Sequence, residues 1–371
     1  MAKQDSEMTK PGDHVRWLMK KRGWLQAELA YVLGVSSSTV SEVVNSKIAI
    51  SAEMAKALGA AFDRPAREFA DLQTIWSLEN APEPSTEIAI RAAAQANYPY
   101  REMAKRGWVK TATDASDTHG ELCRFFGVND LNSVSQIGYA PKKTTEGELS
   151  GEQLVWLHRV RQIAGEMMTP AYDPTKFQET IDAFSELRDH PENVRHVPRL
   201  LENAGVRFVV VQALPGSKID GVCTWLDAKS PVIGLSLRFD RIDNFWFVLR
   251  HECAHVKHGH GRDAAIIDFD MDGDPETAVS DEEKIADSEA AEFCVPNNKM
   301  TSFYLRKRPF FAEREVMAFA KREGVHPGLV VGQLQRRMDR YDFLRKHLVK
   351  VRDHLSSAMM VDGWGDVVPV D

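Results

Sequence analysis

Along residues 11–75 apolar positions recur at helical spacing in short bursts. Val15, Leu18 and Met19 form one stripe that Gly23 ends, and Leu25, Leu29, Ala30 and Leu33 form a second that Gly34 ends. Ser36 is suited to cap a third helix, with Val40 and Val43 turned inward and Asn45-Ser46 closing it; a fourth starts at Ser51. The polar, Pro-punctuated stretch beginning Asn80-Ala-Pro-Glu-Pro reads as a linker. Beyond it the spacing predicts helices over 87–96, 99–106, 117–126, 149–168, 174–189 and 191–204. The pattern then changes. VRFVVVQAL (206–214) is a β-branched run, IDGVCTWLD (219–227) alternates like a half-buried strand, and PVIGLSL (231–237) is a third candidate strand. A helix follows from about Arg241 through RHECAHVKHGH, and further helices are expected over 300–311, 312–324 and 329–355, ahead of a loose last dozen residues.

At 371 residues the chain exceeds the size of one ordinary core. The expected fold is multidomain: an all-α helix-turn-helix at 11–75, a linker at 76–87, a helical middle region at 88–200 that serves as spacer or dimerisation module, an α+β zincin-like domain with a small sheet at 201–346, and a helix end and tail at 347–371. No apolar run approaches the length of a membrane span, and MAKQDSEMTK lacks the apolar region of a secretory signal. Cys123, Cys223, Cys253 and Cys294 show no CxxC spacing, which speaks against a disulfide framework or a cysteine metal site. A cytoplasmic protein is expected. The net charge of −7 argues against indiscriminate nucleic-acid binding, but residues 11–72 hold eight Lys/Arg against seven Asp/Glu, so a DNA contact belongs there.

Two short helices joined by a turn at Gly34 make a helix-turn-helix, whose second helix enters the major groove. Its outward residues would be Ser37, Ser38, Thr39, Ser41 and Glu42, short hydrogen-bonding groups suited to base edges and phosphates. Gln26 opens the preceding helix, where its amide and the helix N-terminus can hold a phosphate. The run GW-x-QAELA-x-x-LGVS-x-STVSE-x-x-N-x-K resembles the Xre/Cro-type helix-turn-helix family, its HigA antitoxin branch in particular. It departs in having no basic residue on the recognition helix. YPYREMAKRGWV (98–109) is similar to segments of longer HigA-like regulators that carry a peptidase domain. Double-stranded operator DNA and a homodimer are the expected partners.

In HECAH, His251 and His255 lie four apart and project from one helical face, where two imidazoles can grip one metal ion. Glu252 is rotated off that axis and can take a proton from the attacking water. Zinc suits such ligands, needs a third one and keeps a position open. The third is sought in EKIADSEAAEFCVP: Glu283 as ligand, with Asp287 one turn on receiving a ligand histidine's N–H. Glu282 and Asp281 are its competitors. With VHPGLVVGQLQ (325–335), these elements resemble the ImmA/IrrE family of metallopeptidases, with Glu289 standing where an aromatic residue is common. That resemblance implies a zinc-dependent endopeptidase acting on a protein partner, a repressor or antitoxin-like protein. The alternative is a HigA-like antitoxin or autorepressor whose zinc domain is sensory or structural.

Other residues are weaker candidates. His326 and Tyr304 could steady an oxyanion, although capping or core roles suit each better. His258 and His260 fit a solvated helix end, and Cys253 a packing role. DFDMDG (268–273) imitates the start of an EF-hand loop but has Val279 at position twelve, so it reads as an acidic loop beside the cleft. PVIGLSL is expected to be an edge strand that aligns substrate, with Gly234 allowing close backbone approach; a central strand is the alternative.

Overall fold

The computed structural model describes residues 10–112, 114–136, 142–143, 149–262, 265–269 and 280–370. They fall into two compact units divided between Ser85 and Thr86.

The first unit holds five helices: α1 (Pro11–Arg22), α2 (Gln26–Leu33), α3 (Ser37–Val44), α4 (Ala52–Phe62) and α5 (Ala66–Glu79). The predicted caps are in place. Ser36 Oγ accepts the Thr39 N–H at 3.1 Å, and Ser51 Oγ accepts that of Met54 at 3.2 Å. Val15, Leu29, Val40, Val43 and Leu58 meet in one core, which Phe69 of α5 completes. Because that core needs α5, the helix runs on to Glu79, and the predicted linker at 76–87 shrinks to the residues between Glu79 and Thr86.

The second unit begins with α6 (Thr86–Asn97), α7 (Tyr100–Lys105), α8 (Ala115–Phe126), β1 (Lys142–Lys143), α9 (Gly151–Glu166), α10 (Pro174–Ala183) and α11 (Val197–Asn203). Next come β2 (Arg207–Val210), β3 (Ile219–Trp225), β4 (Pro231–Leu235), α12 (Ile242–His258) and β5 (Ile266–Phe269). The unit ends with α13 (Asp281–Cys294), α14 (Asn297–Lys307), α15 (Glu313–Glu323), α16 (Pro327–Met338) and α17 (Arg352–Ser356). The three predicted strands form; β1 and β5 are additional.

The sheet is mixed, in the order β1-β5-β3-β4-β2. β4 runs antiparallel to β3 and parallel to β2, so PVIGLSL is an interior strand and not the edge facing the site. Gly234 accommodates neighbouring side chains instead: a Cβ there would lie 2.8 Å from both Val160 of α9 and Val222 of β3. Every residue of β3 and β4 is buried. Phe208, Val210, Cys223, Trp225, Ile233 and Leu235 pack towards α12, while Val209, Val222 and Val232 pack towards α9. Coverage of both faces is why β3 is not the half-buried strand its alternation predicts.

The helical middle is therefore a layer of the sheet's own unit and not a spacer. α9 lies on β2 and β4, and α10 packs on α12. The helix expected over 329–355 stops at Met338, where Asp339 takes a left-handed conformation. Nor is the end of the chain loose. Asp362 is buried, accepts Trp108 Nε1–H at 2.6 Å and pairs with Arg159 at 2.5 Å, while Val211 bridges to it in parallel.

Candidate functional site

α12 starts apolar, with Phe245, Trp246, Val248 and Leu249 in the core, and this burial carries the next two turns beneath the sheet. His251, Glu252 and His255 are accordingly almost fully buried. α13 lies against α12 and brings Glu283, which is 4 % exposed, to the same spot. Glu282 and Asp281 are exposed, so burial separates Glu283 from its competitors.

Among the described residues, His251, His255 and Glu283 have ligand atoms all within 4.8 Å of one another. His251 Nε2 is 2.9 Å from His255 Nε2 and 3.0 Å from Glu283 Oε2, and His255 Nε2 is 3.4 Å from Glu283 Oε1. The outer ring nitrogens are also held. His251 Nδ1 lies 3.1 Å from Asp287 Oδ1; a proton on Nδ1, donated to that carboxylate, would leave Nε2 its lone pair. His255 Nδ1 is 3.0 Å from His260 Nδ1, and donation to that nitrogen would leave His255 Nε2 an acceptor as well. Three acceptors then face one point. Glu283 Oε1 is buried and receives no hydrogen bond. A cation suits this donor set better than any internal pairing.

Glu252 stands beside this group against β3. A Cβ at Gly221 would lie 2.1 Å from Glu252 Oε1, so only glycine lets the strand pass there without displacing the carboxylate.

Two features escaped the sequence reading. His260 is not a solvated helix end but the partner of His255; its half-buried ring has a lowered pKa, through burial first and then the neighbouring His255. The spacing, five residues after His255, was the available signal. Gly221 had none, because its role depends on which strand covers α12. His258 is exposed as expected, and its Nε2 lies 2.7 Å from Glu289 Oε1. Glu289 also binds Lys257 and thus ties the end of α12 to α13, a polar tie in place of an aromatic contact.

His326 and Tyr304 lie outside the cluster. His326 caps α16, its Nδ1 accepting Gly328 N–H at 3.0 Å. Gly328 abuts Ile242, nine residues before His251 and so about 13 Å away along α12. Burial holds the His326 pKa down at about 4, with His347 the next cause. Tyr304 stacks on Phe311, with ring centroids 5.4 Å apart. Cys253 is fully buried, and burial pushes its pKa up to about 12, as a packing residue requires. Most of DFDMDG, with Val279, lies outside the described residues.

In the first unit, Ser37, Ser38 and Glu42 of α3 are exposed, Thr39 and Ser41 are half-exposed, and Gln26 is exposed at the start of α2. Ser36 Oγ lies 2.7 Å from Ser38 Oγ and 2.9 Å from Thr39 Oγ1, so two of the proposed reading hydroxyls also belong to the cap. Lys47 lies exposed just beyond α3, and Lys20 and Lys21 lie exposed on α1, supplying positive charge that α3 itself lacks.

Residues 15–69 match the family model described as helix-turn-helix. No curated protein matches the chain. The N-terminal unit is thus a helix-turn-helix domain of the Xre-like kind, and the chain carries the DNA-binding part of a transcriptional regulator. No helix among the described residues is long and apolar enough to cross a membrane.

Proposed function

We propose that the second unit is a zinc-dependent endopeptidase, so that the protein couples operator binding to hydrolysis of a protein partner, a repressor or antitoxin-like protein. The observation that carries this reading is the convergence of His251 Nε2, His255 Nε2 and a Glu283 oxygen beside the buried carboxylate of Glu252. His251, His255 and Glu283 would hold the ion. Zinc, when bound, supplies Lewis acidity that polarises a peptide carbonyl and makes water a better nucleophile near neutral pH. Asp287 and His260 fix the tautomers and orientations of the two imidazoles. Glu252 takes the proton of the attacking water and returns it to the leaving amine. Gly221 keeps the strand from crowding that carboxylate. On the DNA side, two copies would present α3 to successive major grooves of a pseudo-palindrome.

The test is incubation of the full chain with proteins encoded by neighbouring genes, with and without a chelator. Cleavage that is abolished by chelation and by Glu252→Gln supports the proposal. Stoichiometric zinc with no cleavage of any neighbour would favour the antitoxin or autorepressor reading.

A further inference from the structure

Arg250 of α12 is 6 % exposed, yet it forms no ion pair among the described residues, and its Nε and Nη1 are buried without a hydrogen bond. A guanidinium does not shed its proton, so the chain keeps a full charge in its interior. Its contacts carry no opposite charge. The Phe293 ring centroid lies 4.9 Å from its Cζ, and Cys253, which also interacts with it, stays a neutral thiol because burial pushes its pKa up to about 12. Arg188 adds a second cation: its Cζ is 5.0 Å from the same ring, and it too forms no ion pair among the described residues. A lone buried charge is costly unless an opposite one meets it. Arg250 lines a cavity of about 490 Å³ between α10, α12 and α13, in the size range of small-molecule sites. That cavity is polarised. Arg250 is its buried charge, whereas Asp182 and Glu292 on its wall are exposed and bonded to neutral groups, the Gln178 amide and the Asn297 N–H. The other two charges on the wall, Lys257 and Glu289, pair with each other. Ile181 and Phe293 supply apolar surface.

We infer that this cavity binds a free apolar α-amino acid, its carboxylate on Arg250, its ammonium towards Asp182 and Glu292, and its side chain against Ile181 and Phe293. A carboxylate matches the planar guanidinium and supplies the charge that Arg250 lacks. The two exposed carboxylates disfavour phosphate and other polyanions and favour a zwitterion. None of His251, Glu252, His255 and Glu283 lines the cavity, so binding needs no metal. The ligand nevertheless joins α12 to α13, the two helices that bring the histidines and Glu283 together.

Calorimetric titration of the full chain with leucine and with phenylalanine tests this. Isocaproate and phenylpropanoate are the same molecules without the ammonium, and glycine lacks the side chain. Saturable binding by at least one of the two amino acids is expected, with these controls and inorganic phosphate weaker by about tenfold or more. Arg250→Met keeps the length of the side chain and removes its charge. It should weaken binding about tenfold or more and leave the ligand-free melting temperature unchanged or higher, because the lone charge is gone. A guanidinium that merely braced Phe293 would give a lower melting temperature and undiminished affinity. Ser288→Phe, an exposed change on the cavity wall, should block binding without unfolding the chain. Asp182→Asn with Glu292→Gln keeps both hydrogen-bond acceptors and should narrow the preference for the amino acid over its deaminated acid about threefold or more. Should Arg250→Met fail to fold, the other two variants still decide. Unchanged affinity in the folded Arg250 or Ser288 variant overturns the proposal, as does absence of saturable binding up to about 10 mM. It is overturned equally if a deaminated acid or phosphate binds the native chain as tightly as the amino acids.

Discussion

His260 and Asp287 hold the outer nitrogens of the two paired histidines, and both act through orientation. The His260→Ala variant should weaken zinc binding about 10- to 100-fold without unfolding the chain, measured by competition with a chelating dye. An unchanged affinity would reduce His260 to a packing residue. Cysteine reactivity follows from burial. Burial pushes Cys253 and Cys294 up to about 12, so neither offers appreciable thiolate near pH 8. Cys123 is half-buried and should be labelled first by a thiol reagent, the three buried cysteines, Cys223, Cys253 and Cys294, only after denaturation. Rapid labelling of Cys253 in the native chain would contradict the packing. At this scale the pairing of His251 with His255 was legible, because i, i+4 spacing puts side chains on one face whatever surrounds the helix. Gly221 was not, since a close approach between a strand and a helix leaves no trace in either one's own spacing.

The helices of the first unit were readable from their caps, because Ser36 and Ser51 act on backbone three residues away. Replacing Ser36 by Ala removes the acceptor for Thr39 N–H and should cost about 1 kcal/mol of the unit's stability. Changing Thr39 and Ser41 together to Glu should abolish specific, salt-sensitive DNA binding while leaving fold and metal content intact. If the isolated first unit gives no salt-sensitive shift on its promoter DNA, the module binds protein. Strand order was not readable. PVIGLSL has the same composition whether it is central or at an edge, and only the pairing of β4 with β2 and β3 decides. Proline at Leu235 or at Ser236 should therefore unfold the second unit in either case, as seen by circular dichroism. A folded variant of either kind would place a free edge there.

In the second unit as a whole, contacts distant in sequence close the fold, and these were the least legible. Asp362 sits more than two hundred residues from Arg159, and no local pattern announces the pair. Asp362→Ala leaves a buried guanidinium and the Trp108 N–H without their acceptor, and should cost about 3–5 kcal/mol in a denaturant melt. Acid sensitivity follows from His158, which burial holds neutral with a pKa of about 4 while its Nε2 contacts Phe125 O at 2.7 Å. Its folded pKa lies below the unfolded value, so the unfolded chain binds the extra proton. The contribution is fully present above about pH 6.5 and is lost as pH falls towards 4, on the order of 3 kcal/mol in all. A His158→Gln variant should show a flatter stability profile over that window. The central claim, that His251, His255 and Glu283 hold one catalytic ion, is tested most directly by the zinc content of the purified full chain. About one zinc per chain is expected in the native protein, in Glu252→Gln and in Glu282→Ala, and little in Glu283→Ala or the His251→Ala/His255→Ala double variant. Undiminished zinc in that double variant, or none in the native protein purified with zinc present, would contradict it.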